Sequence, residues 1–279
     1  MEKVGMIGVG AMGSALLERL KLAEAEATVF DIASLALETA RSTGAKIVQS
    51  AKELAQQSTI SDVVVRTDKE VLECTTGKDG LLEGAKAGTL ILLHSTIRPQ
   101  TTKKVVEAAA QRNVHAIDAC MSSVPKAVRA GDLTFLVGGP KDLVDRARPH
   151  LLNMAKQVIH MGPLTTGNVA KLIKNMVNGA ETLIVQEAIR IGEAGGVPYP
   201  EALEMMRQTY SGSFLSHWQD RFDPTGTNTA PKGGGNLFNK DVPLAAELGR
   251  NLGVEIPVTE QLAAACRRLP GWNEEGIGS

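Results

Sequence analysis

Aromatic side chains are scarce in this 279-residue chain: five Phe, two Trp and two Tyr make up 3% of it, too few for a platform that stacks single-stranded nucleic acid. Cysteine is scarcer. Cys74, Cys120 and Cys266 lie far apart, with no CxxC pair and an odd count, which excludes a disulfide framework or a zinc ribbon and fits a reducing compartment. Neither sign of charge dominates, because 30 Lys+Arg against 31 Asp+Glu leave a net charge of −1. No electrostatic footprint for nucleic acid or an anionic membrane shows. Met1-Glu2-Lys3 runs within a residue or two into an apolar strand, leaving no room for a signal or transit segment. A cytoplasmic protein is expected, with small molecules or copies of itself as partners, no nucleic acid and no membrane.

The most prominent stretch present is Thr165 to Gly195. Val169, Leu172, Ile173, Met176, Val177, Ala180, Leu183, Ile184, Ala188 and Ile191 recur at three- and four-residue steps, the signature of a helix with a wide apolar face. About 30 residues at 1.5 Å each give roughly 45 Å. Lys171, Lys174, Glu181, Glu187 and Arg190 interrupt it too often for a membrane span. Thr165-Thr166-Gly167-Asn168 supplies cap-type residues, and Gly195-Gly196 before Pro198 supplies a stop. Lys171, Asn175, Asn178 and Thr182 fall within roughly 60° of one another on the side opposite the apolar face. One ammonium followed by two carboxamides and a hydroxyl suits contact with a ligand or a second domain better than a solvated face.

At the N-terminus, Val4 to Ile7 leads straight into Gly8-Val9-Gly10-Ala11-Met12-Gly13 and then a helical pattern. A second strand, Ala27 to Phe30, ends on Asp31, 18 residues after Gly13. A GxGxxG alone is a weak signal. Strand before, helix after and an acidic residue at the next strand's tip together make a dinucleotide-binding fingerprint. Gly8 permits the tight turn, Gly10 lets backbone approach a pyrophosphate, and Gly13 lets helix and strand pack closely, while the helix N-terminus at Ala11 and Met12 offers unpaired N–H groups. Asp31 can accept from both adenosine ribose hydroxyls and would repel a 2′-phosphate, so the expected cofactor is NAD rather than NADP. S-adenosylmethionine enzymes pair similar features and stay a rival at this point.

Strands are predicted at Lys46–Val48, Asp62–Val65, Thr89–Leu93, His115–Asp118, Thr134–Val137 and Gln157–His160. Helices are predicted at Ala51–Gln57, Leu81–Lys86, Gln100–Arg112 and Lys141–Met154. This alternation argues for an α/β fold with a Rossmann-type doubly wound sheet, ligand groups sitting at the carboxyl ends of its strands. Beyond Gly195 the pattern is wholly helical, with Gly- and Pro-rich loops around Pro224 to Gly235. Two domains are expected: a dinucleotide-binding domain over 1–164 and an all-helical domain over 165–279 for substrate binding and self-association, joined by the long interdomain helix.

Four motifs in order make the chain resemble the β-hydroxyacid dehydrogenases, the group of 3-hydroxyisobutyrate dehydrogenase and tartronate semialdehyde reductase. They are Gly8-Val9-Gly10-Ala11-Met12-Gly13, Ser95-Thr96-Ile97-Arg98-Pro99, the loop from Asp118-Ala119-Cys120-Met121-Ser122-Ser123-Val124 through Ala127, Gly131 and Leu133, and Lys171 to Asn175, followed later by Lys240-Asp241. The resemblance implies NAD-dependent interconversion of a β-hydroxyacid and its semialdehyde or ketone. By that resemblance Lys171 is the general acid/base and Asn175 its partner. Ser122, with the backbone of Ser123 and Val124, grips the substrate carboxylate, Asn178 continues the substrate-facing stripe, Thr96 contacts the nicotinamide ribose region, and Lys240 lies near the cofactor. A Lys serves both directions if desolvation lowers its pKa from about 10.4 towards working pH. The wide apolar face of the helix makes a homodimer or homotetramer the expected assembly.

The departures bear on substrate more than on reaction. Ser123-Val124, then Pro125-Lys126, stand where the family has Gly-Gly. Arg66-Thr67-Asp68 replaces an apolar pair and proline, and His94 replaces an acidic residue. The five histidines are scattered with no metal-ligand spacing, so no metal is expected. His94 and His217 could approach a substrate, although a lone His is more often a satisfied core or surface residue. Imine or ketone reduction on the same scaffold is a rival that Lys171 argues against. A non-catalytic dinucleotide sensor is another, which intact Lys171 and Asn175 weigh against and the altered loop at Ser123-Val124 keeps open. A methyltransferase leaves the stripe unexplained.

Overall fold

The structure is a computed structural model that describes residues 2–194, 196–209, 236–251, 253 and 256–268. The loop expected around Pro224–Gly235, Gly195 of the helix stop, His217 and the C-terminal residues 271–279 lie outside the described residues. So do the side chains of Leu183, Ile184, Ala188 and Ile191. The chain divides into two compact units, Met1–Lys171 and Leu172–Ser279.

The first unit is built on one eight-stranded sheet. Its strands are β1 (Val4–Ile7), β2 (Ala27–Phe30), β3 (Lys46–Ile47), β4 (Ile60–Val63), β5 (Leu90–Leu93), β6 (His115–Ser122), β7 (Thr134–Gly138) and β8 (Gln157–Gly162), in the order β3-β2-β1-β4-β5-β6-β7-β8. All pairs are parallel except β6 with β7. The order reverses between β1 and β4, which is where a doubly wound sheet opens its ligand crevice. Residues of β5 alternate between two cores: Leu90 and Leu92 join Met6, Leu16, Val29 and Phe135 on one face, and Ile91 and Leu93 join Ile7, Leu54, Val63 and Val105 on the other. A strand covered on both sides needs a continuous apolar run, and Leu-Ile-Leu-Leu is one.

Several boundaries differ from the sequence reading, for physical reasons. The strand expected at Asp62–Val65 lies at Ile60–Val63 because its register is set by β1, with Val4 opposite Ile60 and Ile7 opposite Val63. The triple valine Val63-Val64-Val65 gave no internal mark of where pairing stops. The strand expected to end at Asp118 runs to Ser122, since β7 returns antiparallel and pairs Ser122 with Thr134. Three helices were not anticipated: α2 (Ser34–Ser42), α4 (Asp68–Thr76) and α7 (Pro125–Arg129). Of these α4 had a readable start, a capping box in which the Thr67 side chain accepts from Glu70 N–H and Glu70 reaches back to Thr67 N–H.

The remaining helices of this unit are α1 (Ala11–Leu22), α3 (Ala51–Gln57), α5 (Leu81–Gly84), α6 (Pro99–Ala110) and α8 (Lys141–Met154). The long helix α9 (Thr166–Ala194) starts in the first unit and continues into the second. There it is joined by α10 (Tyr199–Thr209), α11 (Asn236–Asn251) and α12 (Pro257–Cys266) around a core of Val185, Ile189, Leu203, Val242, Ala246, Ala263 and Cys266. The faces of α9 are not divided as its periodicity implied. Lys171 and Asn175 are each 8% exposed and Thr182 is buried, while Ile173 and Val177 are 52% and 50% exposed.

Candidate active site

The turn after β1 is shaped to take a ligand against bare backbone. Gly8 has φ +86°, a left-handed conformation that favours glycine, and a Cβ there would sit 2.3 Å from Val64 O. A Cβ on Gly13 would lie 2.0 Å from Gly8 O, so only glycine allows the first turn of α1 this close to the strand. Gly10, the N-cap of α1, carries no side-chain cap. A Cβ built on it meets no protein atom within 4 Å, which leaves the N-terminal N–H groups around Ala11 and Met12 approachable from that side. This cradle fits a dinucleotide's pyrophosphate.

Asp31 is tied into the same turn. Its Oδ2 accepts from Val9 N–H at 2.7 Å and its Oδ1 from Ala33 N–H at 2.8 Å. Each carboxylate oxygen has a second lone pair, so both can still accept from ribose hydroxyls. Beyond Asp31 the side chains of Ile32 and Leu35 are largely exposed, and residues 32–35, Ile-Ala-Ser-Leu, contain no cation.

At the ends of β5 and β6 the other unit-one residues follow. Ser95 Oγ donates to Val65 O at 2.6 Å, fixing the segment that continues into half-buried Thr96. Ser122, also half-buried, is the last residue of β6. Ser123 Oγ donates to Asp132 O at 2.6 Å, and Val124, exposed, is the N-cap of α7 with φ −121° and ψ 158°. That is ordinary extended backbone, which explains how Ser123-Val124 fits where relatives of the motif carry two glycines.

Asp118, inside β6, holds the start of α9. Its Oδ1 accepts from Thr165 N–H at 2.7 Å and its Oδ2 from Asn168 N–H at 2.8 Å. Burial pushes this carboxyl up to about 6 against the pull of those N–H groups. Asn168 is further fixed by Thr102 Oγ1, which donates to its Oδ1 at 2.8 Å, and by its own Nδ2, which donates to Cys120 Sγ at 3.3 Å. Lys171 is one turn along α9 from Asn168, on the same face. Asp118, Thr102, Asn168 and Cys120 were not singled out as site residues in the sequence; the signals were Asp118 and Cys120 in the loop motif and Asn168 among the cap-type residues before α9.

In the second unit, Asn175 Nδ2 donates to Asp241 Oδ2 at 2.5 Å. Asp241 is fully buried, and its Oδ1 accepts no hydrogen bond while lying 3.6 Å from Lys240 Nζ. The sequence places Lys240 in the site and names Asp241 only as its neighbour in the motif; both lie inside α11. Asn178 is half-buried, and its carbonyl accepts from Thr182 Oγ1 at 2.7 Å. The residues expected at the site from the sequence thus fall into two sets, with α9 carrying Lys171 at the end of one unit and Asn175 near the start of the other.

Residues 3–162 match the family described as the NAD binding domain of 6-phosphogluconate dehydrogenase. Residues 165–274 match the one described as NAD-binding of NADP-dependent 3-hydroxyisobutyrate dehydrogenase. This chain belongs to the β-hydroxyacid dehydrogenase family. Within it, the chain is 31% identical to a 3-hydroxyisobutyrate dehydrogenase of Pseudomonas aeruginosa, over 88% of this chain and 84% of the relative. It is 29% identical to an NAD-dependent L-serine dehydrogenase of the same organism, over 96% and 92%. A 3-hydroxyisobutyrate dehydrogenase of Mycobacterium tuberculosis, solved with L-serine, superposes with a TM-score of 0.83 at 26% identity, covering 96% of this chain and 93% of that one. As a β-hydroxyacid dehydrogenase the chain is an oxidoreductase acting on CH–OH donors. Among the described residues no helix is long and apolar enough to cross a membrane, and no group of three or more His, Cys, Asp or Glu is placed to hold a metal ion.

Proposed function

We propose that this chain oxidises a short β-hydroxyacid to its semialdehyde or ketone, with NAD as cofactor and Lys171 as general acid/base. The observation that carries the reading is a buried ammonium on the α9 face that also presents Asn168 and Asn175. A lysine that is only 8% exposed and shares a helix face with two carboxamides suits a proton carrier, because burial eases the loss of its proton.

NAD held on the Gly8–Gly13 turn and Asp31 would supply the hydride acceptor for the substrate carbon. Lys171 Nζ takes the hydroxyl proton as the hydride leaves and returns it to the carbonyl oxygen in reverse. Asn175, its amide oriented by Asp241, presents its carbonyl oxygen to the ammonium or to the substrate hydroxyl. Ser122 and the N–H groups that follow, at Ser123 and Val124, hold the carboxylate.

NAD is favoured over NADP by the negative charge of Asp31 and by the absence of any cation at residues 32–35. Thr96 and Lys240 complete the cofactor contacts in this reading. Self-association, as a dimer or tetramer, is supported by the exposed Ile173 and Val177 of α9.

The test is a panel of 3-hydroxyisobutyrate, L-serine, D-glycerate, 3-hydroxypropionate and aryl-substituted β-hydroxyacids, followed by the absorbance of reduced nicotinamide. Lys171→Ala should lower kcat on the best substrate by roughly 100-fold or more, the scale of a lost general acid/base. Wild-type turnover in that variant would remove the proposed mechanism.

A further inference from the structure

His94, the residue that follows β5, is not a lone histidine. Its Nδ1 lies 2.6 Å from Ala119 O on β6, and its Nε2 lies 2.7 Å from Asp62 Oδ1 on β4. The other carboxylate oxygen, Asp62 Oδ2, lies 2.8 Å from Nε2 of His150 on α8. His94 and Asp62 are essentially without solvent exposure, and His150 nearly so. The His94 ring is tilted at 38° to Phe135 with centroids 5.0 Å apart, which closes its remaining face.

The proton count of this cluster follows from which atoms can donate. A backbone carbonyl only accepts, and an ionised carboxylate only accepts. Both nitrogens of His94 therefore face acceptors, and each must carry a hydrogen. Turning the ring over would place two C–H groups against the same oxygens, so the contacts themselves fix its orientation. Protonating Asp62 instead is disfavoured, because an imidazole is by nature the stronger base and the second carboxylate oxygen also lies 2.8 Å from His150 Nε2, a contact that favours the ionised form.

We infer that His94 is kept as a buried imidazolium between the Asp62 carboxylate and the Ala119 carbonyl, and that it is a positioning residue for the cofactor and substrate segments. Charge-assisted hydrogen bonds of this kind are shorter and roughly twice as strong as neutral ones. Here they join β4, the residue that follows β5 and the middle of β6. His94 N–H also donates to Val63 O at 3.0 Å, and Cys120 Sγ contacts Ser95 O at 3.6 Å. Two residues after His94 comes Thr96, and three after Ala119 comes Ser122. The inference rests on the proposed reading for the roles of those two residues. The charged or titratable neighbours are Asp62, His150 and the Cys120 thiol, while Asp118 is turned to Thr165 and Asn168, and Glu2 pairs with Arg146.

The decisive measurement is a two-bond proton–nitrogen correlation spectrum of histidine-labelled, ligand-free protein at neutral pH. One histidine should show both ring nitrogens with the shifts of an imidazolium, and its signals should vanish in His94→Gln. A neutral tautomer at His94 overturns the inference, whether or not the protein turns over any substrate. The second measurement is NADH binding, read by the cofactor's fluorescence. In folded His94→Gln the dissociation constant should rise roughly 10-fold, the scale of a small misplacement of a contacting segment, with KM for the hydroxyacid rising more than kcat falls. Unchanged NADH affinity and KM overturn the positioning role. Should His94→Gln fail to fold, Asp62→Asn is read in the same way. Failure of the wild-type protein to bind NADH would instead strike the proposed function, and the spectrum would still decide the protonation.

Discussion

Asp31 shows how much one carboxylate is asked to do. It binds Val9 N–H and Ala33 N–H in the structure and is proposed to meet the ribose as well, so Asp31→Ser should both relax discrimination against NADP and weaken NAD, the latter by roughly 10-fold for lost charged hydrogen bonds. Steady-state KM values for the two cofactors check this. If the NADP-to-NAD ratio stays put, Asp31 does not select the cofactor. The Asp62 cluster sets a pH dependence of stability. The Asp62 carboxyl is held below its unfolded value of 3.8, burial being outweighed by His150 and His94, so its stabilisation is present above that pH and lost as pH falls towards the depressed value. For His150, burial pulls the imidazolium down but the Asp62 charge and hydrogen bond raise it above 6.5. Its contribution is full below 6.5 and lost as pH rises through the raised value. Thermal unfolding followed from pH 4 to 8 should therefore be level up to about pH 6.5 and fall as pH rises further, and that fall should flatten in Asp62→Asn. The glycine turn and Asp31 were legible because they are close in sequence and each residue type has one geometric reason to be there. The cluster was not legible. Its members are separated by 32 and 88 positions, and nothing local to His94, Asp62 or His150 says that the sheet and α8 will bring them into contact.

Among the elements, α9 is the most informative. Its length was readable from periodicity to within a residue at each end, while the burial of its faces was not, because a 3.6-residue repeat says which residues share a side and not what that side meets. The stripe through Asn168, Lys171 and Asn175 needed Asp118, Thr102 and Asp241 from other elements before its burial made sense. Asp118→Ala would leave the N–H groups of Thr165 and Asn168 buried without their acceptor. It should cost about 2 kcal/mol of stability, measurable as a lower denaturant midpoint with unchanged m-value, and Asp118→Asn should recover part of it. An unaltered midpoint would mean that the start of α9 is held by Asn168 alone. The strand ends were the least readable parts of the sheet, as β4 and β6 illustrate, since partners in the sheet rather than the strand's own residues decide where pairing stops.

At the scale of the molecule, the order of strands and helices gave away a doubly wound first half and a helical second half, because alternation of element type survives errors in every boundary. The seventh and eighth strands were both within reach of the pattern, though the antiparallel direction of β7 was not: a five-residue helix between β6 and β7 looks the same on paper as a loop. The exposed Ile173 and Val177 make a prediction here. Ile173→Asp with Val177→Asp should shift the species seen by sedimentation to a lower mass while leaving the first unit's unfolding in place; an unchanged mass would place any assembly surface elsewhere.

Because α9 passes from one unit to the other without a break, the count of residues between Lys171 and Asn175 is a fixed phase. Inserting one residue there would rotate all that follows by about 100° and carry Asn175 off the lysine's side of the cylinder, however well both halves folded. Grafting the helical half of a relative onto this sheet, or evolving a new length of linker, is therefore tolerable only in steps that restore the angle, which makes the spacing itself as much a part of the proposed site as the side chains it separates.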